Sequence, residues 1–395
     1  MHSNQDSRSG LVILGSTGSI GRQTLDVCRR DQIPVDGLVC GRNVPLLLEQ
    51  IREFRPRHVA LAAAEVRAEL EAGLAALDLT ALPVLHWGTG GVDELLEELH
   101  PRLVLAAMVG ISGLRPVLKA LDLGADIALA NKEVLVTGGE LVTTLARERG
   151  CKLLPVDSEH SAIWQCLQGQ DCGRLKRLIL TASGGPFRKS SLEAMRNAGP
   201  QEALAHPNWK MGAKISIDSA TMMNKGLELI EAQHLFDCPE EHIDILIHPQ
   251  SIVHSMVEFK DGALLAQLGA PDMRQAISLA LHYPRRAEET FSPLDLLSLT
   301  EGLSFEAADP QRFRSLHLAR EAARAPKSLA VVMNAANEVA VEAFLARNVS
   351  FLGIAETVEN CMEAHQKEGV WQPTCFEEIA ALDQEARQRC RALLK

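Results

Sequence analysis

The sequence lacks the features that mark membrane and secreted proteins. No apolar run approaches the roughly 20 residues that a membrane-spanning helix needs, and residues 1–10 are polar, which argues against a secretory signal. The nine cysteines are odd in number and form no Cys-x-x-Cys motif. These absences argue against a zinc ribbon and a disulfide framework, and they predict reduced thiols in a cytoplasmic protein.

An excess of positive charge is also missing. The chain carries 40 Lys and Arg against 51 Asp and Glu, a formal net charge of −11. This balance disfavours nucleic acid and anionic membranes as partners, so any anionic ligand must be held by locally arranged donors. At 395 residues and 46% hydrophobic content, the chain is expected to form two or three domains.

The order of apolar runs predicts an α/β protein with three parts. Strands alternate with helices over residues 1–150, which predicts a Rossmann-like, doubly wound parallel sheet. Residues 151–283 contain strands with few helices between them and predict an α+β domain. Residues 284–310 are charged and Pro-bearing, as in a linker, and residues 311–395 predict four helices of a small bundle.

A glycine-rich turn, Gly15-Ser-Thr-Gly18-Ser-Ile-Gly21, follows the first predicted strand and opens a helix. Glycines let the backbone approach a pyrophosphate, and the N–H groups at the helix start can bind anions. The spacing differs from the commoner Gly-x-Gly-x-x-Gly, so a plain strand-to-helix turn is the alternative. The position after the first strand favours a dinucleotide site.

The end of the second predicted strand, Cys40-Gly41-Arg42-Asn43, indicates which dinucleotide is bound. NAD sites usually carry Asp or Glu here, which bonds the ribose hydroxyls. An Arg can instead bind a 2′-phosphate through a bidentate fork. The sequence therefore favours NADP over NAD, unless Arg42 only caps a loop.

Carboxylates in two distant segments predict a metal site. Asp157 and Glu159 are two residues apart after an apolar stretch, and an extended backbone would point both the same way. Paired carboxylates need a cation, and hard oxygen ligands indicate Mg²⁺ or Mn²⁺. Glu228 is the natural third ligand, although two carboxylates at this spacing are common by chance.

The segment from His206 to Glu231 is the most informative part of the chain, and its last part is predicted to be a helix. At about 100° per residue, Asn224, Lys225 and Glu228 fall within an arc of about 100°. Apolar residues flank this arc, so an amide, an ammonium and a carboxylate are expected to border a pocket for an oxyanion beside a metal. A solvated helix face is the alternative.

Three further segments contain candidate residues. Lys132 follows an apolar strand at the carboxyl edge of the sheet. It is predicted either to approach a substrate hydroxyl or the nicotinamide, or to be part of an ordinary charged helix start. Ser183 lies in a Gly-Gly turn that can surround a phosphate, or that is an ordinary turn. His206, Trp209 and Met211 lie on a segment with Gly and Pro hinges, typical of a lid that excludes water. A packed surface loop is the alternative, and the scarcity of Trp in the chain favours the lid.

Two other polar segments are predicted to be structural. His248 and His254 do not have the spacing of metal ligands, so supporting roles are expected for them. Residues 334–338, Asn-Ala-Ala-Asn-Glu, are predicted to pack and cap within the helical bundle.

Together these motifs resemble the 1-deoxy-D-xylulose 5-phosphate reductoisomerase family over essentially the whole chain. The most specific segments are residues 15–21, 130–133, 156–160, 206–231 and 248–251. The resemblance implies NADPH- and metal-dependent rearrangement and reduction of 1-deoxy-D-xylulose 5-phosphate to 2-C-methyl-D-erythritol 4-phosphate, in the non-mevalonate isoprenoid pathway. It also implies a homodimer, an NADPH-binding domain at 1–150, and metal, catalytic and dimer contacts at 151–283.

The resemblance also implies a role for each matching residue. The implied metal ligands are Asp157, Glu159 and Glu228, for Mg²⁺ or Mn²⁺ with Co²⁺ as a further candidate. The implied catalytic residues are these three with Lys132 and His206. The implied substrate-binding residues are Lys132, Ser158, Glu159, Ser183, His206, Ser219, Asn224, Lys225 and Glu228. The implied NADPH-binding residues are Thr17, Gly18, Ser19, Ile20, Gly41, Arg42, Asn43, Asn131, Glu133 and Gly212.

Three positions depart from the family pattern. Arg42 stands where Lys is frequent, Lys210 where a small residue is frequent, and Gln275-Ala276 where a Pro is common. The NADP preference should survive the first departure. Two other functions remain open from the residues alone: a nucleotide-sensing protein without turnover, and a different dehydrogenase such as a semialdehyde or homoserine enzyme.

Overall fold

The computed structural model describes residues 9–206, 209, 211–289, 291–300, 302–309 and 311–394. These residues form two compact units. The first unit contains the described part of Met1–Val134, with Leu141–Asp157 and Met273–Phe291. The second unit contains Leu135–Glu140, Ser158–Asp272 and the described part of Ser292–Lys395.

The first unit is built on a seven-stranded sheet with the order β4-β3-β2-β1-β5-β6-β7. Every pairing in it is parallel. Its central strands are continuous apolar runs because both faces are covered, and residues 11–14 are at most 2% exposed. The strands are β1 (Ser9–Leu14), β2 (Val35–Cys40), β3 (His58–Leu61), β4 (Val84–Trp87), β5 (Pro101–Ala106), β6 (Asp126–Leu129) and β7 (Leu153–Pro155).

Helices connect these strands and confirm the predicted Rossmann-like fold. The strand order reverses between β1 and β5, which is where open α/β sheets bind ligands beyond their carboxyl ends. The helices are α1 (Ser19–Asp31), α2 (Val44–Phe54), α3 (Arg67–Ala75), α4 (Gly88–Leu99), α5 (Leu114–Asp122), α6 (Glu133–Arg149) and α12 (Met273–His282). Residues Leu135–Glu140 of α6 belong to the second unit.

The second unit contains a five-stranded mixed sheet, as the predicted α+β region requires. Its order is β11-β10-β8-β9-β12, in which only the β8–β9 pairing is parallel. The strands are β8 (Leu175–Ala182), β9 (Ile243–Ile247), β10 (Val253–Phe259), β11 (Leu264–Leu268) and β12 (Glu306–Ala307). The helices before the bundle are α7 (Ser158–Leu167), α8 (Leu192–Arg196), α9 (Pro200–Leu204), α10 (Ala213–Thr221) and α11 (Met223–Leu235).

Four helices end the chain and confirm the predicted C-terminal helical region. They are α13 (Arg314–Arg324), α14 (Ser328–Leu345), α15 (Phe351–Glu368) and α16 (Phe376–Leu393). Phe344 and Phe351 meet edge to face at 5.8 Å between ring centroids and are 2% exposed. Among the described residues, α14 alone is long and apolar enough to span a membrane by composition, and 78% of it is buried within the protein. That burial is typical of a core helix.

The contacts group residues 273–309 differently from the predicted domain boundaries. The segment Met273–Phe291 packs in the first unit, where α12 contacts α1. Strand β12, which lies in the predicted linker, pairs with β9 in the second unit. The three-domain division at 150, 283 and 310 therefore remains a proposal about folding units.

A half-buried histidine in α11, His234, makes stability depend on pH. Burial, assisted by the charge of Lys327, lowers the pKa of His234 from 6.5 to about 4. Its Nε2 is buried and makes no hydrogen bond within the described structure. A Cβ at Gly139 would lie 2.3 Å from the ring, so the packing is tight. The folded state therefore holds this imidazole neutral.

Acidification from pH 6.5 to 4 is expected to destabilise the protein through His234. In the unfolded chain His234 takes up a proton near pH 6.5, whereas in the folded chain it does so only near pH 4. The stability that is present above pH 6.5 is therefore lost as the pH falls from 6.5 to 4. The shift corresponds to about 3 kcal/mol of unfolding free energy. Urea unfolding across this range measures it, and His234→Gln should show a flatter dependence. If the unfolding free energy fell equally with pH in the wild type and in His234→Gln, the lowered pKa of His234 would be contradicted.

Candidate active site

The glycine-rich turn brings the start of α1 close to the carboxyl ends of β1 and β5. Gly15 has φ +87°, and a Cβ there would lie 2.6 Å from the carbonyl oxygen of Ala107. A Cβ at Gly21 would lie 2.3 Å from the Gly15 oxygen, so only glycine lets this helix approach the turn. Gly18 is the N-cap, without a side-chain cap or an acidic residue in the first turn. The N–H groups around Thr17, Ser19 and Ile20 therefore suit an anion.

The loop after β2 lies beside this turn. Thr17 Oγ1 is 3.2 Å from Cys40 Sγ, and the Asn43 side chain caps α2 by accepting from the Leu46 N–H at 3.3 Å. The Arg42 side chain is 79% exposed and pairs with Glu65 at 2.9 Å. Because an exposed pair of this kind is weak, Arg42 can exchange Glu65 for a phosphate. No Asp or Glu stands at residues 41–43.

Lys132, in the loop after β6, forms an ion pair with Asp157, which follows β7, and the pair is shielded from solvent. Lys132 Nζ lies 2.6 Å from Asp157 Oδ2, with side chains 8% and 13% exposed. Asn131 Nδ2 donates to the Gly110 carbonyl at 3.0 Å and holds this loop beside the one after β5. Glu133 is buried in the first turn of α6. The structure thus brings Lys132 and Asp157 together within the first unit.

Glu159 does not lie in an extended segment, so that part of the prediction is wrong. Strand β7 ends at Pro155 and α7 begins at Ser158, which places Glu159 in the first helical turn. A carboxylate is favoured there by the helix dipole. Ser158 Oγ donates to Glu159 Oε2 at 2.6 Å. The i, i+2 alternation of a strand therefore does not orient Asp157 and Glu159.

The predicted polar face of α11 forms a buried cluster around one lysine. Lys225 Nζ bonds Glu159 Oε1 at 2.7 Å and also bonds Glu228, whose other oxygen accepts from Asn224. Lys225 and Glu228 are 4% and 1% exposed, so the alternative of a solvated helix face is excluded. Burial opposes the charge of Lys225, but the two carboxylates outweigh it and raise its pKa.

A second cluster in the same unit joins the Gly-Gly turn to the predicted lid. His206 Nδ1 accepts from the Trp209 N–H at 2.9 Å, which leaves the proton on Nε2, 2.9 Å from Ser183 Oγ. Burial lowers the pKa of His206, so this neutral tautomer is favoured. Ser183 Oγ also accepts from the Gly185 N–H at 3.2 Å. Its own hydroxyl hydrogen is then available to an anionic ligand.

The backbone holds Ser219 beside this cluster. Gly185 has φ +64°, and a Cβ there would lie 2.7 Å from the Ser219 carbonyl oxygen. Met222 adopts φ +64° and separates α10 from α11, so Ser219 and Asn224 lie on either side of this break. Gly212 is the N-cap of α10, and Met211 is partly buried. Lys210, one of the departures, lies outside the described residues.

Sequence models of one family match three consecutive parts of the chain. Their descriptions are 1-deoxy-D-xylulose 5-phosphate reductoisomerase for residues 11–139 and its C-terminal domain for residues 153–236. A further match, DXP reductoisomerase C-terminal domain, covers residues 268–389. The enzyme named 1-deoxy-D-xylulose 5-phosphate reductoisomerase from Chlorobium phaeovibrioides is 50% identical over 96% of this chain and 97% of its own length. The chain belongs to the 1-deoxy-D-xylulose 5-phosphate reductoisomerase family.

Solved structures of reductoisomerases share the whole architecture. The enzyme from Zymomonas mobilis in complex with NADPH is 42% identical, with a TM-score of 0.89 over 98% of this chain and 99% of that one. A reductoisomerase in complex with NADPH, fosmidomycin and magnesium is 42% identical, with a TM-score of 0.90 over 98% of both chains. The predicted family and fold class are confirmed.

Sequence reasoning missed two buried residues of this reductoisomerase family member. His160 bonds the Glu228 carbonyl oxygen through Nε2 at 2.9 Å, and its Nδ1 lies 3.4 Å from Glu231. His160 and Glu231 are both 0% exposed. This pair connects α7, which contains Glu159, to α11, which contains Glu228. Their only signal in the sequence is position: His160 directly follows Glu159, and Glu231 lies three residues, about one helical turn, after Glu228.

The segments predicted to be structural have structural contacts. His248 donates through Nδ1 to the Ser304 carbonyl at 2.9 Å, and its Nε2 accepts from the backbone of Ile252 and Val253 at 3.2 and 3.1 Å. Both ring nitrogens are therefore used within the fold. Asn337 donates to Asp218 at 2.8 Å and connects α14 to α10.

Proposed function

We propose that this protein converts 1-deoxy-D-xylulose 5-phosphate to 2-C-methyl-D-erythritol 4-phosphate with NADPH and a divalent metal, in the non-mevalonate isoprenoid pathway. The cluster of Lys225, Glu159 and Glu228 supports this proposal independently of family membership. A nucleotide sensor without turnover has no use for such a cluster. A semialdehyde dehydrogenase would need a Cys nucleophile beside a base, and neither polar cluster described above contains a cysteine.

The carboxylate residues fit a divalent cation. Glu159 and Glu228 share one ammonium, and Asp157 lies against another, so each already requires a positive charge. Their donors are hard oxygens, which suit Mg²⁺ or Mn²⁺, and Co²⁺ less closely. When bound, such a cation acts as a Lewis acid that polarises a neighbouring hydroxyl and carbonyl of the substrate. Asp157, Glu159 and Glu228 would hold it.

The surrounding residues would bind and orient the sugar phosphate. Lys132, Ser158, Asn224 and Lys225 would donate hydrogen bonds to the hydroxyl and carbonyl oxygens of the substrate. Ser183, with neutral His206 behind it, and Ser219 would hold the phosphate. A segment with Trp209 and Met211 would cover the site and exclude water during hydride transfer.

NADPH would bind at the carboxyl edge of the parallel sheet. Thr17, Gly18, Ser19 and Ile20 offer backbone donors to the pyrophosphate at the start of α1. The remaining residues proposed to contact the dinucleotide are Gly41, Arg42, Asn43, Asn131, Glu133 and Gly212.

Replacement of Arg42 by Asp should reverse much of the preference for NADPH. The carboxylate would repel the 2′-phosphate and remove a charged hydrogen bond of about 1.5–3 kcal/mol, so KM for NADPH should rise about tenfold to a hundredfold. The KM for NADH should change little. Steady-state kinetics with both dinucleotides measures this. Glu65→Gln removes only the competing partner of Arg42 and should not raise KM for NADPH; equal losses for both dinucleotides in Arg42→Asp would contradict the role.

The proposed reaction is tested by following NADPH absorbance with 1-deoxy-D-xylulose 5-phosphate, with and without Mg²⁺ or Mn²⁺. Oxidation of NADPH that needs both the sugar phosphate and the metal supports the proposal. NADPH binding without oxidation would favour the nucleotide sensor. Oxidation with a different carbonyl substrate from a panel would favour another dehydrogenase.

We also propose a cytoplasmic homodimer that does not bind nucleic acid or membranes. All nine cysteines are free thiols, as expected in a reducing compartment. Strand β11 lies at the edge of the mixed sheet with Leu264, Leu265 and Leu268 exposed at 51%, 38% and 38%. Exposed apolar edge strands pair with other chains, and here the partner is a second copy.

A charge on β11 is expected to dissociate this dimer. Leu264→Glu should shift the mass measured by light scattering at micromolar concentration from the dimer to the monomer, because a buried carboxylate at the interface is unfavourable. Leu297→Glu is the matched control, since Leu297 is 94% exposed in the same unit and lies outside the sheet. A wild-type monomer, or a Leu264→Glu dimer as stable as the wild type, would rule out this interface.

A further inference from the structure

Two buried histidines face each other near the edge of the parallel sheet, in the first unit. His58 begins β3 and His86 lies on the edge strand β4. They are 7% and 4% exposed, and their rings lie edge to edge, with 5.3 Å between centroids and 16° between planes. His58 Nδ1 lies 3.0 Å from His86 Nε2. No residue proposed for the reductoisomerase reaction takes part.

A carboxylate from α4 completes a triangle with these two nitrogens. Glu98 Oε2 lies 3.4 Å from His58 Nδ1 and 3.9 Å from His86 Nε2. Two ligands at 2.0–2.1 Å from a tetrahedral Zn²⁺ are about 3.3 Å apart. The three donor atoms therefore lie within reach of one such ion, which would take the place of the proton in the hydrogen bond between His58 and His86.

A second carboxylate orients one of the rings. Glu94 Oε2 lies 3.4 Å from His86 Nδ1, the nitrogen that points away from the triangle. A proton on Nδ1 facing Glu94 leaves the lone pair of Nε2 directed at His58 and Glu98. Histidines that bind metals usually have such a carboxylate on their other nitrogen.

We propose that His58, His86 and Glu98 form a second metal site that binds a borderline transition-metal ion, Zn²⁺ by preference. Two imidazoles and one carboxylate select such ions over Mg²⁺, which prefers oxygen ligands. The Glu98 side chain is 54% exposed, so the fourth position is accessible to water. The ion would join β3, β4 and α4 and stabilise the edge of the parallel sheet. This proposal does not depend on the proposed reaction.

Cobalt is the probe for this site, because tetrahedral Co²⁺ absorbs visible light far more strongly than octahedral Co²⁺. Full-length protein titrated with Co²⁺ should develop these bands up to one equivalent, and Zn²⁺ should then remove them. Glu98→Gln should weaken binding at least about tenfold to a hundredfold, a range seen even for residues behind the ligands. His86→Gln should abolish the bands.

Three control variants distinguish the site from other metal binding. Glu97→Gln makes the same change one residue away, where the side chain pairs with Lys119, and should bind Co²⁺ like the wild type. Glu94→Gln should weaken binding without abolishing it. Glu228→Gln, at the proposed catalytic metal site, should leave the tetrahedral bands intact. Because Glu98 is exposed, Glu98→Gln is expected to fold, which circular dichroism checks. Only octahedral Co²⁺ spectra, or equal affinity in Glu97→Gln and Glu98→Gln, would overturn the proposal.

Discussion

Glu228→Gln is expected to lower turnover about 10³-fold or more, because Lewis-acid stabilisation of several kcal/mol is lost with the ligand. Glutamine keeps the length of the side chain, so the helix and its bond from His160 to the Glu228 backbone should survive. It loses the charge that Lys225 and a divalent cation require. The rate of NADPH oxidation at saturating substrate and metal measures the effect.

Cofactor binding separates this effect from misfolding. All proposed NADPH-binding residues except Gly212 lie in the first unit, whereas Glu228 lies in the second. NADPH should therefore bind Glu228→Gln with unchanged Kd, measured by fluorescence titration. Glu241→Gln makes the same substitution at an exposed position of the second unit and should keep full turnover. Full activity in Glu228→Gln would remove Glu228 from the ligand set.

Gly21→Ala is the second substitution with a large expected effect. The added Cβ would lie 2.3 Å from the Gly15 carbonyl oxygen and 2.6 Å from two backbone atoms of Ser16. Backbone atoms cannot move aside as a flexible side chain can, so α1 must shift away from the turn. Overpacking of this kind costs about 1–3 kcal/mol. We expect a lower thermal midpoint and NADPH binding weakened at least about tenfold, which corresponds to about 1.4 kcal/mol.

Gly90→Ala is the matched control for this prediction. Gly90 lies within α4 of the same unit, and a Cβ there meets no atom within 4 Å. Alanine is favoured over glycine inside a helix by up to about 1 kcal/mol, so this variant should be as stable as the wild type or more so. Thermal unfolding and NADPH titration of Gly21→Ala and Gly90→Ala test this prediction. Unchanged NADPH affinity in Gly21→Ala would show that the close packing of α1 is not needed for the dinucleotide.

Local patterns predicted the parts of the fold that depend on local rules. The apolar run Leu11–Leu14 indicated the first strand, because a parallel sheet that is covered on both faces needs continuous apolar runs. The glycines after it indicated the turn and the start of the helix. The spacing of Asn224, Lys225 and Glu228 predicted that they share one face of a helix, and the structure confirms this in α11. These features need only the helical and strand periodicities.

Features that depend on tertiary contacts were missed. Strand β7 is only three residues long and α7 begins at Ser158, so Glu159 lies in a helix and not in the predicted extended segment. The packing of His160 against α11 and the return of Met273–Phe291 to the first unit join residues far apart in the chain. The same holds for His58, His86 and Glu98, whose spacing gave no signal.

We propose that Asp157, Glu159 and Glu228 bind one divalent cation. A crystal structure of the protein with Mn²⁺ and NADPH tests it most directly, because anomalous scattering locates the manganese. We predict one strong peak with an oxygen of each of the three carboxylates at roughly 2.0–2.3 Å. A manganese bound elsewhere, or bound without these oxygens, would contradict the claim.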